Sequence, residues 1–152
     1  MIAIRPAAIA EAASIARVIN AAFRPAEEFC VESDRISVDA VRDLFAKGVF
    51  LTAGDCTGAV YVELRGERAY FGMLSVDPAH QGNGIGSALV AAAEDYARTH
   101  GCRFMDICVA SPRTELPPRY RKLGYVESGA EPWPGGILTK LPCHLLCMQK
   151  VL

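Results

Sequence analysis

The chain has 152 residues and a mass of 16.4 kDa, with 51% apolar and 22% charged residues. That length fits one domain, 1–152, with a core of its own; the composition excludes a disordered chain, and no apolar run approaches the ~20 residues of a membrane span. Sixteen basic against seventeen acidic residues, a formal net charge of −1, remove the whole-molecule electrostatic case for nucleic acid or an anionic membrane as partner.

Residues 2–5 read as a short strand stopped by Pro6. From Ala8 to Phe23, apolar residues at Ala12, Ile15, Ile19, Ala22 and Phe23 recur at helical spacing. The segment 24–35, RPAEEFCVESDR, has no clear period. Ser37 is positioned to cap a second, short helix, with Val41, Leu44 and Phe45 inward and Gly48 as its stop. A β-meander follows at 49–53, 59–64 and 69–76, punctuated by glycine turns; Asp77-Pro78 ends its third strand. After the segment HQGNGIG a helix begins, with Ile85, Leu89, Ala92, Ala93 and Tyr96 on one face and His100-Gly101 at its close. Residues 103–109 read as a strand, and Thr114 as the cap of a helix through Leu123 that holds Pro117-Pro118 in its first turn. Gly124 ends that helix, Tyr125-Val126 start a sixth strand, 128–136 read as a loop, and a last strand lies near 143–150. The order βααβββαβαββ mixes a meander with helical crossovers, which gives an α/β or α+β class around one mixed sheet.

The six cysteines stand at 30, 56, 102, 108, 143 and 147. The start MIAIRPAAIAEAAS lacks the parts of a signal peptide, so the expectation is a cytoplasmic protein with reduced thiols. Cys143 and Cys147, beside His144, share one face if they lie on a strand, but no second ligand pair has metal-site spacing. The cysteines therefore read as core or half-buried thiols, and no metal is expected.

Gln81-Gly82-Asn83-Gly84-Ile85-Gly86 lies between a strand and a helix start. Alternating glycines let a backbone approach its ligand closely, and the first amides of a helix have no internal partners. Such a turn either binds an anion such as a pyrophosphate or simply ends the strand. A dinucleotide site of the G-x-G-x-x-G kind does not fit: the spacing here is G-x-G-x-G, a meander precedes it, and Asp106 lies inside a strand.

The chain resembles the GCN5-related N-acetyltransferase (GNAT) family. Gln81, Gly84 and Gly86 match the family's acyl-CoA signature, LSVDP is similar to the end of its fourth strand, and Tyr120-Arg121-Lys122-Leu123-Gly124-Tyr125 is similar to its second signature. The order of elements agrees over the whole chain. The resemblance implies a mixed sheet of about six to seven strands with about four helices, and acetyl-CoA as co-substrate. It implies a pyrophosphate on the amides from Gln81 to Gly86, and pantetheine along the fourth strand near Leu74 and Val76. The fourth and fifth strands would splay to hold the thioester. Tyr120 stands where many members place the acid that protonates the CoA sulfur; by spacing alone it is an amphipathic-helix tyrosine packing with Leu116 and Leu123. Many members relay the amine's proton to a carboxylate, for which Glu32, Glu63 and Glu115 are candidates and Glu32 the preferred one. His80 reads as packing or solvent-facing, and Arg121 and Lys122 as solvated. Where many relatives carry an asparagine this chain has Ala110-Ser111-Pro112-Arg113, and Ser111 is the candidate replacement.

The expected function is transfer of an acetyl group to a primary amine by direct attack in a ternary complex, since no cysteine sits at an obvious nucleophile position. The alternatives are a non-catalytic acyl-CoA sensor, or O- or longer-chain transfer on the same fold. The expected acceptor is a small-molecule or peptide amine, with no nucleic acid and no membrane; a homodimer is compatible with this. Segment 24–35 holds four acids against two bases, a local charge of −2, which as a rim favours a cationic acceptor, with Pro132-Trp133-Pro134 as the opposite rim.

Overall fold

A computed structural model describes residues 2–31, 34–135 and 138–152. Its strands are β1 (Ile4–Pro6), β2 (Val49–Ala53), β3 (Gly58–Arg65), β4 (Arg68–Val76), β5 (Phe104–Ala110), β6 (Val126–Pro132) and β7 (His144–Val151). They form one sheet in the order β1-β2-β3-β4-β5-β7-β6, and only β4 and β5 pair in parallel. The helices are α1 (Ala12–Glu27), α2 (Val38–Leu44), α3 (Ile85–Thr99) and α4 (Leu116–Lys122). The mixed seven-stranded sheet with four helices is the expected α/β class.

Period-2 alternation splits the core between the two faces of the sheet. Val60 and Val62 of β3, Leu51 of β2 and Met105 and Ile107 of β5 meet Leu89 and Ala93 of α3. Their neighbours Phe50, Ala59 and Tyr61 face Ile15 and Ile19 of α1 and Val41 of α2. Ser37 caps α2 as expected, accepting from the Ala40 N–H at 3.1 Å. Helix α3 stops at Gly101, φ 82°, where the Cys102 N–H reaches back to the Ala97 carbonyl at 2.9 Å.

Three local expectations are corrected. Helix α1 does not stop at Phe23 but runs through Pro25 to Glu27. Proline removes one helical hydrogen bond, yet the next one survives, from the Glu28 N–H to the Arg24 carbonyl at 2.9 Å, and the ring lies on the exposed side. The N-cap of α4 is Glu115, not Thr114, and no side chain caps it. Residues 128–132, expected in a loop, belong to β6; this edge strand is exposed at every position, so it carries no apolar alternation, and its pairing with β7 shifts between Glu127 and Gly129.

One buried charge ties α3 to the sheet. Glu94, 6% exposed, accepts from Lys150 Nζ of β7 at 3.0 Å and from the Tyr125 hydroxyl at 2.8 Å. Removing Lys150 takes away the nearer cation of this buried carboxylate and leaves it the Tyr125 hydroxyl and Arg98 at 3.8 Å. Lys150→Met is expected to lower unfolding free energy by about 2–3 kcal/mol, measured by urea denaturation.

Candidate active site

Strands β4 and β5 pair only from Arg68↔Phe104 to Tyr70↔Asp106, and then part. From there β5 stays on β7 along its whole length, while β4 stays on β3 through a bulge. At that bulge Gly72 to Ser75 oppose Tyr61 to Ala59, Met73 takes φ 54°, and the Ser75 hydroxyl donates to the Met73 carbonyl at 2.9 Å. A bulge bends its strand and adds twist, so it carries β4 away from β5. A left-handed methionine costs about 1–2 kcal/mol, which the surrounding sheet sustains.

The gap is a cleft of about 690 Å³. Its walls are β4 from Phe71 to Val76, β5 from Ile107 to Ala110, the glycine loop, the last turns of α1, and α4 at Arg119 and Tyr120. Extended backbone alternates its polar groups from side to side. The Asp77 N–H donates to Thr57 on the β3 side at 2.8 Å, so the N–H and carbonyl of Val76, and by the same alternation those of Leu74, point into the cleft. There the Val76 carbonyl accepts from Gln81 Nε2 at 3.2 Å.

Gly82 and Gly84 hold φ 86° and 81°, a region other residues enter only with strain, and Gly84 is the N-cap of α3. The first bond inside the helix runs from the Ala88 N–H to the Gly84 carbonyl at 3.0 Å, which leaves the Ile85, Gly86 and Ser87 amides without a helical acceptor. The Ile85 side chain is buried and anchors this turn, while Asn83 bends its amide back to the His80 carbonyl at 3.3 Å. Free amides and the positive end of a 15-residue helix converge on one mouth of the cleft, a receptor for a phosphate group.

Tyr120 is half-buried, its ring 6.1 Å from Phe71 and 5.8 Å from Tyr125. Its hydroxyl has no hydrogen bond to any described residue. Burial pushes the phenol up to about 12, so it is a neutral proton donor throughout the ordinary pH range. Of the two leucines expected beside it, Leu116 lines the cleft with Tyr120 while Leu123 is exposed, and Tyr120 itself packs on the core.

The cleft also holds residues that sequence reasoning missed. Cys108 of β5 lies in the wall, with its Sγ 3.4 Å from Cys147 Sγ on β7; the two are register partners 39 residues apart. Burial and the neighbouring thiol push Cys108 up to about 12, so it is not a thiolate. Glu131 completes a group of three whose ligand atoms lie within 4.8 Å of one another. Spacing arguments centred on Cys143 and Cys147 could not find it, because Cys143 precedes β7 and the true neighbour comes from another strand.

Glu27, 5% exposed, ends α1 in the cleft wall between two arginines, Arg113 Nη1 at 3.5 Å and Arg35 Nη1 at 3.8 Å. Arg113 also pairs with Glu115 at 3.3 Å. Of the acids expected to form a negative rim, Asp34 pairs with Arg24 and Glu27 with Arg35 and Arg113, while Glu28 is exposed and Glu32 lies outside the described residues. Trp133 does approach this place, with the Arg35 guanidinium 5.9 Å from its ring.

Other expected residues fall elsewhere. Glu32 lies outside the described residues. Glu63 accepts from the Tyr61 hydroxyl at 3.1 Å and lines a separate hollow on that side of the sheet. The Ser111 hydroxyl accepts from the His144 N–H at 3.1 Å, fastening the end of β5 to the start of β7, and keeps its own O–H to donate. His80 is exposed, and Arg121 pairs with Glu127. Among the described residues no helix is long and apolar enough to cross a membrane.

The sequence profile of the acetyltransferase (GNAT) family matches residues 15–125. An uncharacterized N-acetyltransferase of Methanocaldococcus jannaschii is 33% identical over 87 residues, 57% of this chain and 38% of the relative's length. The fold is shared with a structure from Salmonella typhimurium solved with its cofactor acetyl-CoA (TM-score 0.72, 22% identity, 100% and 94% of the two chains). It is shared also with the PaiA N-acetyltransferase of Thermoplasma acidophilum in complex with coenzyme A (0.77, 16%, 100% and 99%). A third likeness is to the ribosomal-protein-S18-alanine N-acetyltransferase of Escherichia coli (0.78, 15%, 99% and 94%).

Proposed function

The chain belongs to the acetyltransferase (GNAT) family, and we propose that it moves an acetyl group from acetyl-CoA to a primary amine by direct attack in a ternary complex. The observation that carries this reading is the cleft between β4 and β5, with free helix amides at one mouth and a neutral tyrosine in its wall. Two structures of the same fold hold acetyl-CoA or coenzyme A.

In this reading the amides of Gln81, Gly82, Asn83, Gly84, Ile85 and Gly86 receive the CoA pyrophosphate. The pantetheine amides extend along β4 against Leu74 and Val76. The amine nitrogen attacks the thioester carbonyl carbon, and the Val76 N–H stabilises the oxyanion, a role worth roughly 3–4 kcal/mol per donor elsewhere. When the C–S bond breaks, the sulfur leaves as a thiolate and takes the Tyr120 proton. The nitrogen loses a proton, and Glu27 and Glu115 are the carboxylates that the described part of the cleft offers to receive it through water. Cys108 stays a spectator, because a thiol held up near 12 is a poor nucleophile.

The initial-rate pattern tests the route. With acetyl-CoA and acceptor both varied, direct attack gives intersecting double-reciprocal lines. Parallel lines, with an acetyl adduct on Cys108 by mass spectrometry, would overturn it.

A further inference from the structure

Three buried polar atoms beside one another in the cleft wall have no hydrogen-bond partner among the described residues: Arg35 Nε, Arg35 Nη1 and Glu27 Oε1. We propose that this pair receives the acceptor, with Arg35 binding a carboxylate of the molecule whose amine is acetylated. The acceptor is then a small amine of the amino-acid class. The proposal rests on the N-acetyl-transfer reading above and deepens it.

A guanidinium carries five N–H donors and no acceptor, and leaving them unpaired inside a protein is costly. The neighbouring charges do not relieve Arg35. Of the nearby acids, Asp34 is taken by Arg24, Glu115 by Arg113, and Glu27 is shared with Arg113. Glu27 is 3.8 Å from Arg35, an ion pair without a hydrogen bond. Both residues still have capacity for a ligand, of opposite kinds: donors on Arg35, an acceptor oxygen on Glu27. A molecule with an N–H and a carboxylate matches both.

The arginine is also held in place. Its guanidinium lies 5.3 Å from the Phe23 ring and 5.9 Å from the Trp133 ring. Stacking on aromatic faces orients the plane without using its N–H groups. Arg35 and Glu27 line the main cleft and also an adjoining hollow of about 250 Å³. The charged residues of the cleft wall are Arg35, Arg113 and Arg119 against Glu27 and Glu115, three minus two, a net +1. This replaces the cationic acceptor expected from segment 24–35 with one that brings its own anion.

The test pairs each amino acid with the amine left by its decarboxylation, for example leucine with isoamylamine and phenylalanine with phenethylamine. Thiol release and calorimetric titration of the CoA-bound protein are both measured. A charge-assisted hydrogen bond predicts a preference of about 10- to 100-fold for the carboxylated partner of a pair, in kcat/KM and in affinity. Arg35→Gln is expected to bring that ratio near unity, with Arg35→Lys between. Equal or better use of the decarboxylated amines by the unaltered protein would overturn the proposal, whether or not Arg35→Gln folds; so would a preference that survives in Arg35→Gln. Failure of the N-acetyl-transfer reading looks different: CoA would bind but acetyl-CoA would release no thiol with any amine, while the calorimetric contrast between paired ligands would still be read.

Discussion

Gly84→Asp is expected to weaken acetyl-CoA binding severely while the protein stays folded. Gly84 caps α3 with φ 81°, and a Cβ there would meet nothing closer than Ile2 at 4.0 Å, so a side chain fits in space and the fold survives. A carboxylate would however stand among the amides that receive the pyrophosphate. Like charges about 4 Å apart at an effective dielectric of 20 repel by about 4 kcal/mol, about a thousandfold in affinity. Rotation of the side chain toward water reduces this, and a loss of at least about 100-fold is expected by calorimetry. Gly84→Ala separates charge from backbone strain: it carries only the left-handed penalty of about 1–2 kcal/mol and is expected to weaken binding by less. Equal affinities for the Asp variant and the unaltered protein would remove the phosphate from this loop.

Tyr120→Phe lowers kcat by about 100-fold or more, the range of a positioned general acid, and leaves acetyl-CoA affinity nearly unchanged. The ring contacts with Phe71 and Tyr125 persist in phenylalanine, so the loss is chemical rather than structural. Burial also fixes the pH profile. A phenol pushed up to about 12 keeps its proton well past the ordinary tyrosine value of about 10, so kcat does not decline through pH ~10 on account of this group. The cost of giving that proton to a thiolate rises with the phenol's pKa, but the same apolar walls raise the pKa of a thiol held against them. An unchanged kcat in the phenylalanine variant would assign the acid to water.

The meander, the glycine loop and the long helix after it were legible in the sequence because each has a local signal. Alternation marks Val60 and Val62, glycines at 82 and 84 mark the left-handed turn, and Ile85, Leu89 and Ala93 mark a helix face. What positions the chemistry was less legible. The bulge that parts β4 from β5 puts Met73 at φ 54°, and methionine is not a residue that announces such a turn. The apolar period ends at Phe23, which left Glu27 outside the first helix; the helix runs on through Pro25 because only one hydrogen bond is lost and the ring stays in solvent. The meeting of Glu27 and Arg35 with Arg113 joins the 24–35 segment to a distant part of the chain, and no spacing rule reports it. Cys108 and Cys147 meet for the same reason, as register partners on strands that are not consecutive. The length of strand β6 past Glu127 escaped notice because an edge open to solvent on both faces needs no apolar pattern.

The central claim is that the β4–β5 cleft transfers an acetyl group from acetyl-CoA to an amine nitrogen. It is tested most directly by following CoA thiol release with a panel of primary amines and weighing the acceptor by mass spectrometry. The account predicts that thiol release needs an amine and that each thiol released is matched by one acetyl group on the acceptor nitrogen. Tight acetyl-CoA binding with no acceptor-dependent thiol release from any amine, or release with the acetyl group recovered on an oxygen, would contradict it.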